Sequence, residues 1–275
     1  MAIIPEFFKD AVVAFGTDNS KGERIWVGTG FLVGMKRKED PNRTNVYIIT
    51  NKHVVKNTDS LFVRFNYAES VGAEDLLMSL KDEKGNKKYT EHPVEEVDIA
   101  AILINTQVIE QHKLKSKWID IDEHALTLEK MKETGVEEGN LVYALGFPLN
   151  LQKDIPIKAP ICRLGCISRI ADAFINPKAA TEFLVDAQTF PGNSGGPIIS
   201  RPEVFGITDT PYNSSACLIG VLSAYIPYLE PLISIQTGRQ RMMQEENSGL
   251  TVVHPVDRIR EVIELEKWRI GKQKE

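Results

Sequence analysis

The segment Pro191-Gly192-Asn193-Ser194-Gly195-Gly196-Pro197 decides both the fold and the chemistry of this chain. Its glycines permit a tight turn with positive φ and a close approach of neighbouring backbone. A serine on such a turn exposes its hydroxyl, and the amides around it can converge on one point, as acyl transfer requires for a developing oxyanion. The alternative is an ordinary glycine-rich β-turn, since Gly, Asn and Ser dominate turns for the same conformational reasons.

A serine hydroxyl is a weak nucleophile, so this hypothesis requires a base and an orienting carboxylate elsewhere in the chain. His53 follows a run of β character at residues 47–50 and so lies just past a predicted strand. Asp98 opens the apolar run at residues 99–104, where burial of a carboxylate is costly unless it is hydrogen-bonded. Each residue alone also has a structural explanation, as a surface or satisfied core histidine and as a turn or cap aspartate.

The order His53, Asp98, Ser194 differs from the order Ser, Asp, His of α/β-hydrolases and from the order Asp, His, Ser of subtilisins. With the motifs TNKHVV, VDIAAI and PGNSGGP in that order, the chain resembles the chymotrypsin-fold, trypsin-like serine peptidases. The similarity is greatest to their bacterial HtrA/Deg-like branch and covers most of residues 10–265. It implies an all-β protein of two packed, six-stranded antiparallel β-barrels with a C-terminal helix.

The resemblance also implies a division of the chain. Residues 1–138 would form the N-terminal β-barrel with the inter-barrel linker, residues 139–254 the C-terminal β-barrel, and residues 255–275 a helix, all within one catalytic unit. Apolar residues at helical spacing support the helix. These apolar residues are Val256, Ile259, Val262 and Ile263, with Leu265 as a further candidate. No PDZ-sized segment is expected after the helix.

The resemblance implies a role for each residue of the site. Ser194 is expected to be the nucleophile of a serine endopeptidase, His53 its general base and then general acid, and Asp98 the carboxylate that orients the imidazole. The backbone N–H groups of Gly192 and Ser194 would form the oxyanion hole. Ser223 matches the serine that hydrogen-bonds the carboxylate in this family, although an ordinary strand serine is the alternative.

Three more residues are expected to contact the substrate. Gln188 falls at the floor of the primary pocket by its position relative to Ser194, and Ala224 and Tyr225 fall on the edge that pairs with substrate backbone. Without an acid in the pocket, small to medium apolar or polar side chains are expected before the scissile bond. Asn193 stands where activated digestive peptidases have Asp, so loop ordering rather than propeptide cleavage is the expected control of activity.

Residues 225–250 do not resemble a barrel. The run at residues 236–247 is polar, rich in helix formers and long for a loop, which fits either a lid that gates the cleft or a surface excursion. The sequence leaves both interpretations open. It also leaves open whether the resting enzyme is active.

Composition limits the classes of partner. Hydrophobic residues make up 42% and charged residues 26% of the chain, and a net charge of −5 gives no general attraction to nucleic acid or anionic membranes. A polypeptide substrate is the expected partner, with no nucleic acid, no membrane, no cofactor and no metal. A homo-oligomer stays open, although no feature indicates one.

The N-terminus and the cysteines favour a cytoplasmic location. Residues 1–10 lack the basic start and unbroken apolar run of a signal peptide, although a chain without its native leader would look the same. Cys162, Cys166 and Cys217 are too few and odd in number for a disulfide framework. They are predicted to be reduced core cysteines.

The main rival function is a catalytically silent or self-regulated peptide-binding module on the same fold. Such a module would hold an extended peptide by β-augmentation without cutting it. The presence of His53, Asp98 and Ser194 together with Gly192 favours the enzyme.

Overall fold

Short apolar runs of β character pair along most of the chain, and the helices between them are short. The computed structural model describes residues 4–37, 39–203 and 210–272. Its strands are β1 (Val12–Asp18), β2 (Arg24–Lys36), β3 (Thr44–Thr50), β4 (Ser60–Asn66), β5 (Ala73–Ser79), β6 (Thr90–Glu91), β7 (Ala100–Leu103), β8 (Ile119–Asp120), β9 (Leu141–Gly146), β10 (Ile161–Arg169), β11 (Phe183–Asp186), β12 (Pro197–Ser200), β13 (Cys217–Ile233) and β14 (Gln240–Pro255). Its helices are α1 (Glu6–Ala11), α2 (Lys52–Val55), α3 (Thr106–Gln111), α4 (Leu128–Glu133), α5 (Ala171–Ile175) and α6 (Val256–Lys272), with a 3-10 turn at Pro148–Asn150.

The first eight strands form one sheet of order β5-β4-β1-β2-β3-β7-β6, to which β8 adds beside β2. Alternating burial along β4 shows how the period of two directs one face to the core. The all-β class is as predicted, but this unit has eight strands, and among the described residues β5 and β6 are not paired to close a six-stranded barrel. The end strand β6 has two residues and so offers few backbone groups for closure.

The second β unit is a closed six-stranded barrel of order β10-β11-β14-β13-β12-β9, as predicted. Its interior is a cluster of buried apolar side chains that includes Ile167, Phe183 and Ile219. A second and larger cluster begins in the first sheet and continues into Leu145 and Phe147 of the second unit. The two β units therefore share buried apolar surface, and the turn that carries Ser194 lies between β11 and β12 of the second unit.

The C-terminal helix α6 packs its predicted apolar face on the body of the protein. Val256, Ile259, Val262 and Ile263 are fully buried within the larger cluster. Leu265 is 37% exposed and lies outside this face. The helical spacing thus predicted the helix and its buried stripe, and the further candidate Leu265 is the exception.

Strands β13 and β14 continue beyond the barrel as a two-stranded ribbon. Antiparallel pairing runs from Pro227 opposite Asn247 to Ile233 opposite Gln240. Residues 225–250 therefore contain a ribbon that leaves the barrel, and the expectation of a long loop at 236–247 is wrong because Gln240 and the residues after it are paired with β13. Pairing with β13 satisfies the backbone of this polar segment, and cross-strand contacts override its content of helix formers.

The three cysteines are free, but they do not all lie in the core. Cys217 is buried, Cys166 is half-buried and Cys162 is exposed, so the prediction of a core position is wrong for Cys162. Alternation along β10 turns the Cys162 side chain outward from the barrel. No helix within residues 4–37, 39–203 and 210–272 has both the length and the apolar character needed to cross a membrane.

Candidate active site

The carboxylate of Asp98 joins three of the predicted site residues. Its Oδ2 lies 2.5 Å from Nδ1 of His53, and its Oδ1 accepts the His53 backbone N–H at 3.2 Å. The Ser223 hydroxyl donates to Oδ2 at 3.2 Å. Burial opposes ionisation of Asp98, but the hydrogen bonds from His53 and Ser223 outweigh it and hold the pKa of the carboxyl below its ordinary value.

The ionised carboxylate fixes the tautomer of His53. A carboxylate only accepts hydrogen bonds, so Nδ1 of His53 carries the proton and Nε2 of the neutral ring is free to accept another. The His53 side chain is 52% exposed, while Val54 and Val55 beside it are buried and anchor the single turn of α2. The ring is therefore exposed, on a backbone that buried side chains hold in place.

Two side chains tie the segment before His53 to the loop that carries Asp98. Asn51 Nδ2 donates to the carbonyl oxygen of Asp98 at 2.6 Å, and Lys52 Nζ donates to that of Val94 at 2.7 Å. Asn51 is fully buried. The spacing of His53 and Asp98 is therefore set by backbone contacts as well as by their own side-chain bond.

The Ser194 turn is held from both β units. In the first sheet, the Thr29 N–H donates to the Ser194 carbonyl at 3.0 Å, and the Thr29 hydroxyl donates to that of Gly192 at 2.6 Å. In the second β unit, the Gly195 N–H donates to the carbonyl oxygen of Leu222, the residue before Ser223, at 2.9 Å. The turn thus lies between β2 and β13, with Ser194 half-buried.

Two backbone amides at this turn are aimed away from their neighbours. The Pro191 carbonyl accepts from the Leu149 N–H, and the Asn193 carbonyl accepts from the Gly196 N–H, both at 2.9 Å. In a trans peptide the N–H points opposite to the C=O, so the N–H groups of Gly192 and Ser194 face the other way. Among the described residues neither of these N–H groups has a hydrogen-bond partner. Both are free to bind an anionic oxygen.

Glycine is required at two positions of the turn. Gly192 has φ +100°, and a Cβ there would overlap the carbonyl oxygen of Phe147. Gly195 has φ +85°, and a Cβ there would overlap the carbonyl oxygen of Thr29. Positive φ and close backbone approach both exclude larger residues, so this conformation depends on the glycines of the motif.

The contact between Ser194 and His53 is open in this conformation. Within the part of the chain that the structure describes, the Ser194 hydroxyl makes no hydrogen bond to the His53 ring, while His53 keeps its bond to Asp98. Catalytic hydrogen bonds are often long or poorly aligned in the absence of substrate. The remaining step is alignment of the Ser194 hydroxyl with Nε2 of His53.

The model of the trypsin-like peptidase domain family matches residues 28–207, which include His53, Asp98 and Ser194. The chain belongs to this family. Among curated proteins, a probable periplasmic serine endoprotease, DegP-like, from Hahella chejuensis is 27% identical over 219 residues. That match covers 79% of this chain and 37% of the relative, so this trypsin-like peptidase domain spans well under half of the relative's length.

Among solved structures, the MamO protease domain from Magnetospirillum magneticum is similar to this trypsin-like peptidase domain, with a TM-score of 0.49 and 16% identity. The match covers 93% of this chain and 96% of that one. The Rv3671c protease in its active form, from M. tuberculosis, has a TM-score of 0.46 and 13% identity, with 96% and 89% covered. Its inactive form has a TM-score of 0.46 and 15% identity, with 93% and 88% covered.

The residues predicted to contact substrate lie on two segments of this trypsin-like peptidase domain. Gln188 is exposed and follows β11, and Ala224 is exposed on β13 directly after Ser223. The Tyr225 hydroxyl donates to Glu245 Oε1 at 2.6 Å, which ties the end of this edge to the ribbon. Their contacts with substrate stay a prediction.

Sequence reasoning missed three side chains that hold the site: Thr29, Asn51 and His254. Asn51 stands inside the quoted motif TNKHVV, two residues before His53, and Thr29 stands between Gly28 and Gly30, so the positions of both could have drawn attention. His254 gives no such signal. Within the described residues, no group of three or more His, Cys, Asp and Glu side chains is arranged to hold a metal ion.

Proposed function

We propose that this chain is a serine endopeptidase that hydrolyses peptide bonds through an acyl-enzyme formed on Ser194. The observation that carries the proposal is the 2.5 Å contact between His53 Nδ1 and the Asp98 carboxylate, beside a serine turn with two unpartnered amides. Membership of the trypsin-like peptidase family supports the same reaction class.

In the first half of the reaction, Ser194 Oγ attacks the carbonyl carbon of the scissile bond while Nε2 of His53 takes the hydroxyl proton. The tetrahedral oxyanion accepts hydrogen bonds from the N–H groups of Gly192 and Ser194. Each such donor is worth about 10²- to 10³-fold in rate. The imidazolium is stabilised by the Asp98 carboxylate and then gives its proton to the leaving amine, which departs and leaves the acyl-enzyme.

In the second half, water attacks the acyl carbon and His53 Nε2 takes its proton. The second tetrahedral intermediate uses the same two N–H groups. Its collapse breaks the ester bond to Ser194 Oγ, which recovers the proton from His53. The carboxylic acid product leaves, and Asp98 stays ionised throughout, since its pKa lies below the ordinary value.

The substrate is an extended polypeptide that pairs with the β13 edge at residues 223–225. Ala224 is exposed on this edge and Tyr225 is held at its end by Glu245, so both are placed to contact the residues before the scissile bond. Gln188 is assigned to the primary pocket. A neutral amide there favours small to medium apolar or polar side chains over Arg or Lys.

The domain organisation and location belong to the same proposal. Residues 1–138, 139–254 and 255–275 act as one catalytic unit, which is supported by the apolar cluster that the first sheet shares with Phe147 and α6. A cytoplasmic location is proposed from the sequence. The Hahella chejuensis relative is named as periplasmic, so fractionation of cells that express the full gene is the test.

A fluorophosphonate probe tests the reaction without knowledge of the substrate. The folded parent protein is expected to form one covalent adduct, located on Ser194 by peptide mass spectrometry. Ser194→Ala is expected to lose the adduct while it keeps the unfolding transition, because a half-exposed hydroxyl contributes little packing. A folded parent without an adduct, or with the adduct elsewhere, would refute the nucleophile assignment.

The second candidate is a self-regulated peptide-binding module, favoured by the open contact between Ser194 and His53. Under this alternative, a peptide bound along β13 closes the contact. An extended peptide should then raise the labelling rate rather than compete with the probe. Competition would favour the constitutive peptidase.

A further inference from the structure

The backbone of Asp98 is held at both of its polar groups by side chains. Its carbonyl oxygen accepts from Asn51 Nδ2, as described above, and its N–H donates to Nε2 of His254 at 3.0 Å. The His254 ring is 1% exposed, and its Nδ1 lies 2.8 Å from the carbonyl oxygen of Thr181. Both ring nitrogens of a buried histidine are therefore occupied, one of them by the residue that orients the base.

These two partners fix the protonation state of His254. The Thr181 carbonyl can only accept, so Nδ1 carries the hydrogen, and the Asp98 N–H can only donate, so Nε2 carries none. His254 lies on β14 opposite Val221, and Thr181 precedes β11, so the ring belongs to the second β unit. Its Nε2 contacts Asp98, which lies in the loop before β7 of the first β unit.

We propose that His254 is a positioning residue, a neutral ring that holds the Asp98 backbone in the orientation from which its carboxylate binds His53. This inference rests on the proposed peptidase function and adds to it a second proton-sensitive group. His254 touches neither substrate nor the reacting atoms. It acts through Asp98.

Protonation would reverse the Nε2 contact. A charged His254 has an N–H on both nitrogens, so Nε2–H would face the Asp98 N–H and leave a buried donor unpaired. Burial is the main cause that lowers the pKa of His254; the Asp98 carboxylate and the Thr181 carbonyl act in the opposite direction, and His92 and Lys52 lower it further. These groups face the ring from the β6–β7 loop, α2 and the segment before β11.

The acid side of the pH profile follows from this arrangement. The His254 ring is neutral at neutral pH, and the contact is lost as pH falls through the lowered pKa of the ring. The acid limb of the parent's labelling rate should therefore include a proton taken up by His254, and a variant without this ring should lack that proton.

Nuclear magnetic resonance tests the contact without reference to activity. In ¹⁵N-labelled protein, His254 is expected to show the Nδ1–H tautomer and a scalar coupling across the hydrogen bond between the Asp98 amide nitrogen and His254 Nε2. The other tautomer, or a protonated ring at neutral pH, would overturn the proposal. The NMR measurement stays informative even if the fluorophosphonate probe does not react with the protein. Absence of that reaction would refute the peptidase function and not the His254 contact.

Kinetics of fluorophosphonate labelling test the role. His254→Leu keeps the volume but has no acceptor, and its second-order rate constant is expected to fall roughly tenfold to a hundredfold. His254→Gln places an amide oxygen near the position of Nε2, so it should recover most of that loss, and its acid limb should have one proton fewer than that of the parent. His112→Gln removes an exposed histidine paired with Glu74 and serves as the control, with an acid limb unchanged from that of the parent.

Two kinetic results would overturn the positioning role. One is a folded His254→Leu protein that is labelled at the rate of the parent. The other is the same acid limb in the parent and in His254→Gln. Where His254→Leu does not fold, the comparison of His254→Gln with the parent decides, because that variant keeps a polar partner for both Asp98 and Thr181.

Discussion

Gly192→Ala is the sharpest test of the proposed oxyanion hole, because one added methyl group acts on a single peptide plane. At φ +100° an alanine is strained by about 1–3 kcal/mol. Its Cβ would also overlap the carbonyl oxygen of Phe147 and lie 3.1 Å from Cα of Pro148. Both neighbours are backbone atoms in the segment that holds the turn, so the turn itself must move.

The shift has a defined consequence for the reaction. The Gly192 N–H is aimed by the bond from Leu149 N–H to the Pro191 carbonyl on the other side of the same peptide. When that plane rotates, one of the two oxyanion donors is lost, which reduces the rate by about 10²- to 10³-fold. The rate of fluorophosphonate labelling should fall by this factor, and urea unfolding should show a stability loss in the range of the strain.

Gly85→Ala is the matched control. Gly85 has φ +80° and no heavy atom within 4 Å of the added Cβ, so it shares the conformational strain without a clash. It lies in the turn after Asp82, outside the segments that carry His53, Asp98 and Ser194. We expect a stability loss with unchanged labelling. Labelling of folded Gly192→Ala within about threefold of Gly85→Ala would refute the assigned donor.

Three further predictions follow from the same structure. Asp98→Asn should lower peptide hydrolysis by on the order of 10⁴-fold through the wrong His53 tautomer, and a loss below tenfold would contradict the assigned role. The Lys158 side chain is buried and donates to the carbonyl oxygens of Asp10 and Val12, and burial lowers its pKa from 10.5 to about 7. Between these two pH values the unfolded chain binds more protons than the folded one, so the unfolding free energy should rise with pH by up to about 5 kcal/mol. Chemical denaturation at several pH values should show this rise in the parent and its loss in Lys158→Met. Replacing residues 229–245 with a two-residue turn removes Glu245, the hydrogen-bond partner of Tyr225, and should change the labelling rate more than tenfold, about 1.4 kcal/mol. An unchanged rate in a folded variant would show that the ribbon has no role at the substrate edge.

The sequence predicted the elements whose signal is local. Alternation along β4 and the helical spacing of Val256, Ile259, Val262 and Ile263 depend on which face of one element is buried, so each is visible within a few residues. The three motifs likewise placed His53, Asp98 and Ser194 in order, and the structure brings His53 and Asp98 into one hydrogen-bonded group with Ser223, which the resemblance predicted separately.

The features that the sequence did not predict depend on partners distant in the chain. Residues 240–247 become a strand because β13 pairs with them, which their own helix formers do not indicate. The first sheet stays open because its end strands, β5 and β6, are not paired with each other among the described residues. No single segment of the sequence determines the strand order that puts them at the two ends. His254 lies at the end of the apolar part of β14 and looks like a core histidine until the fold brings the Asp98 N–H to its ring.

The contacts around Ser194 determine how its open bond to His53 can close. The Ser194 carbonyl is held by the Thr29 N–H from one β unit, and the next amide, that of Gly195, is bonded to Leu222 of the other. The His53 ring is fixed at Nδ1 by Asp98. With the backbone fixed on both sides, rotation of the Ser194 hydroxyl about its Cα–Cβ bond disturbs fewer hydrogen bonds than movement of the turn. Closure by such a rotation leaves the N–H groups of Gly192 and Ser194, the proposed oxyanion donors, in place, so one conformation of the turn can serve the proposed reaction before and after substrate binds.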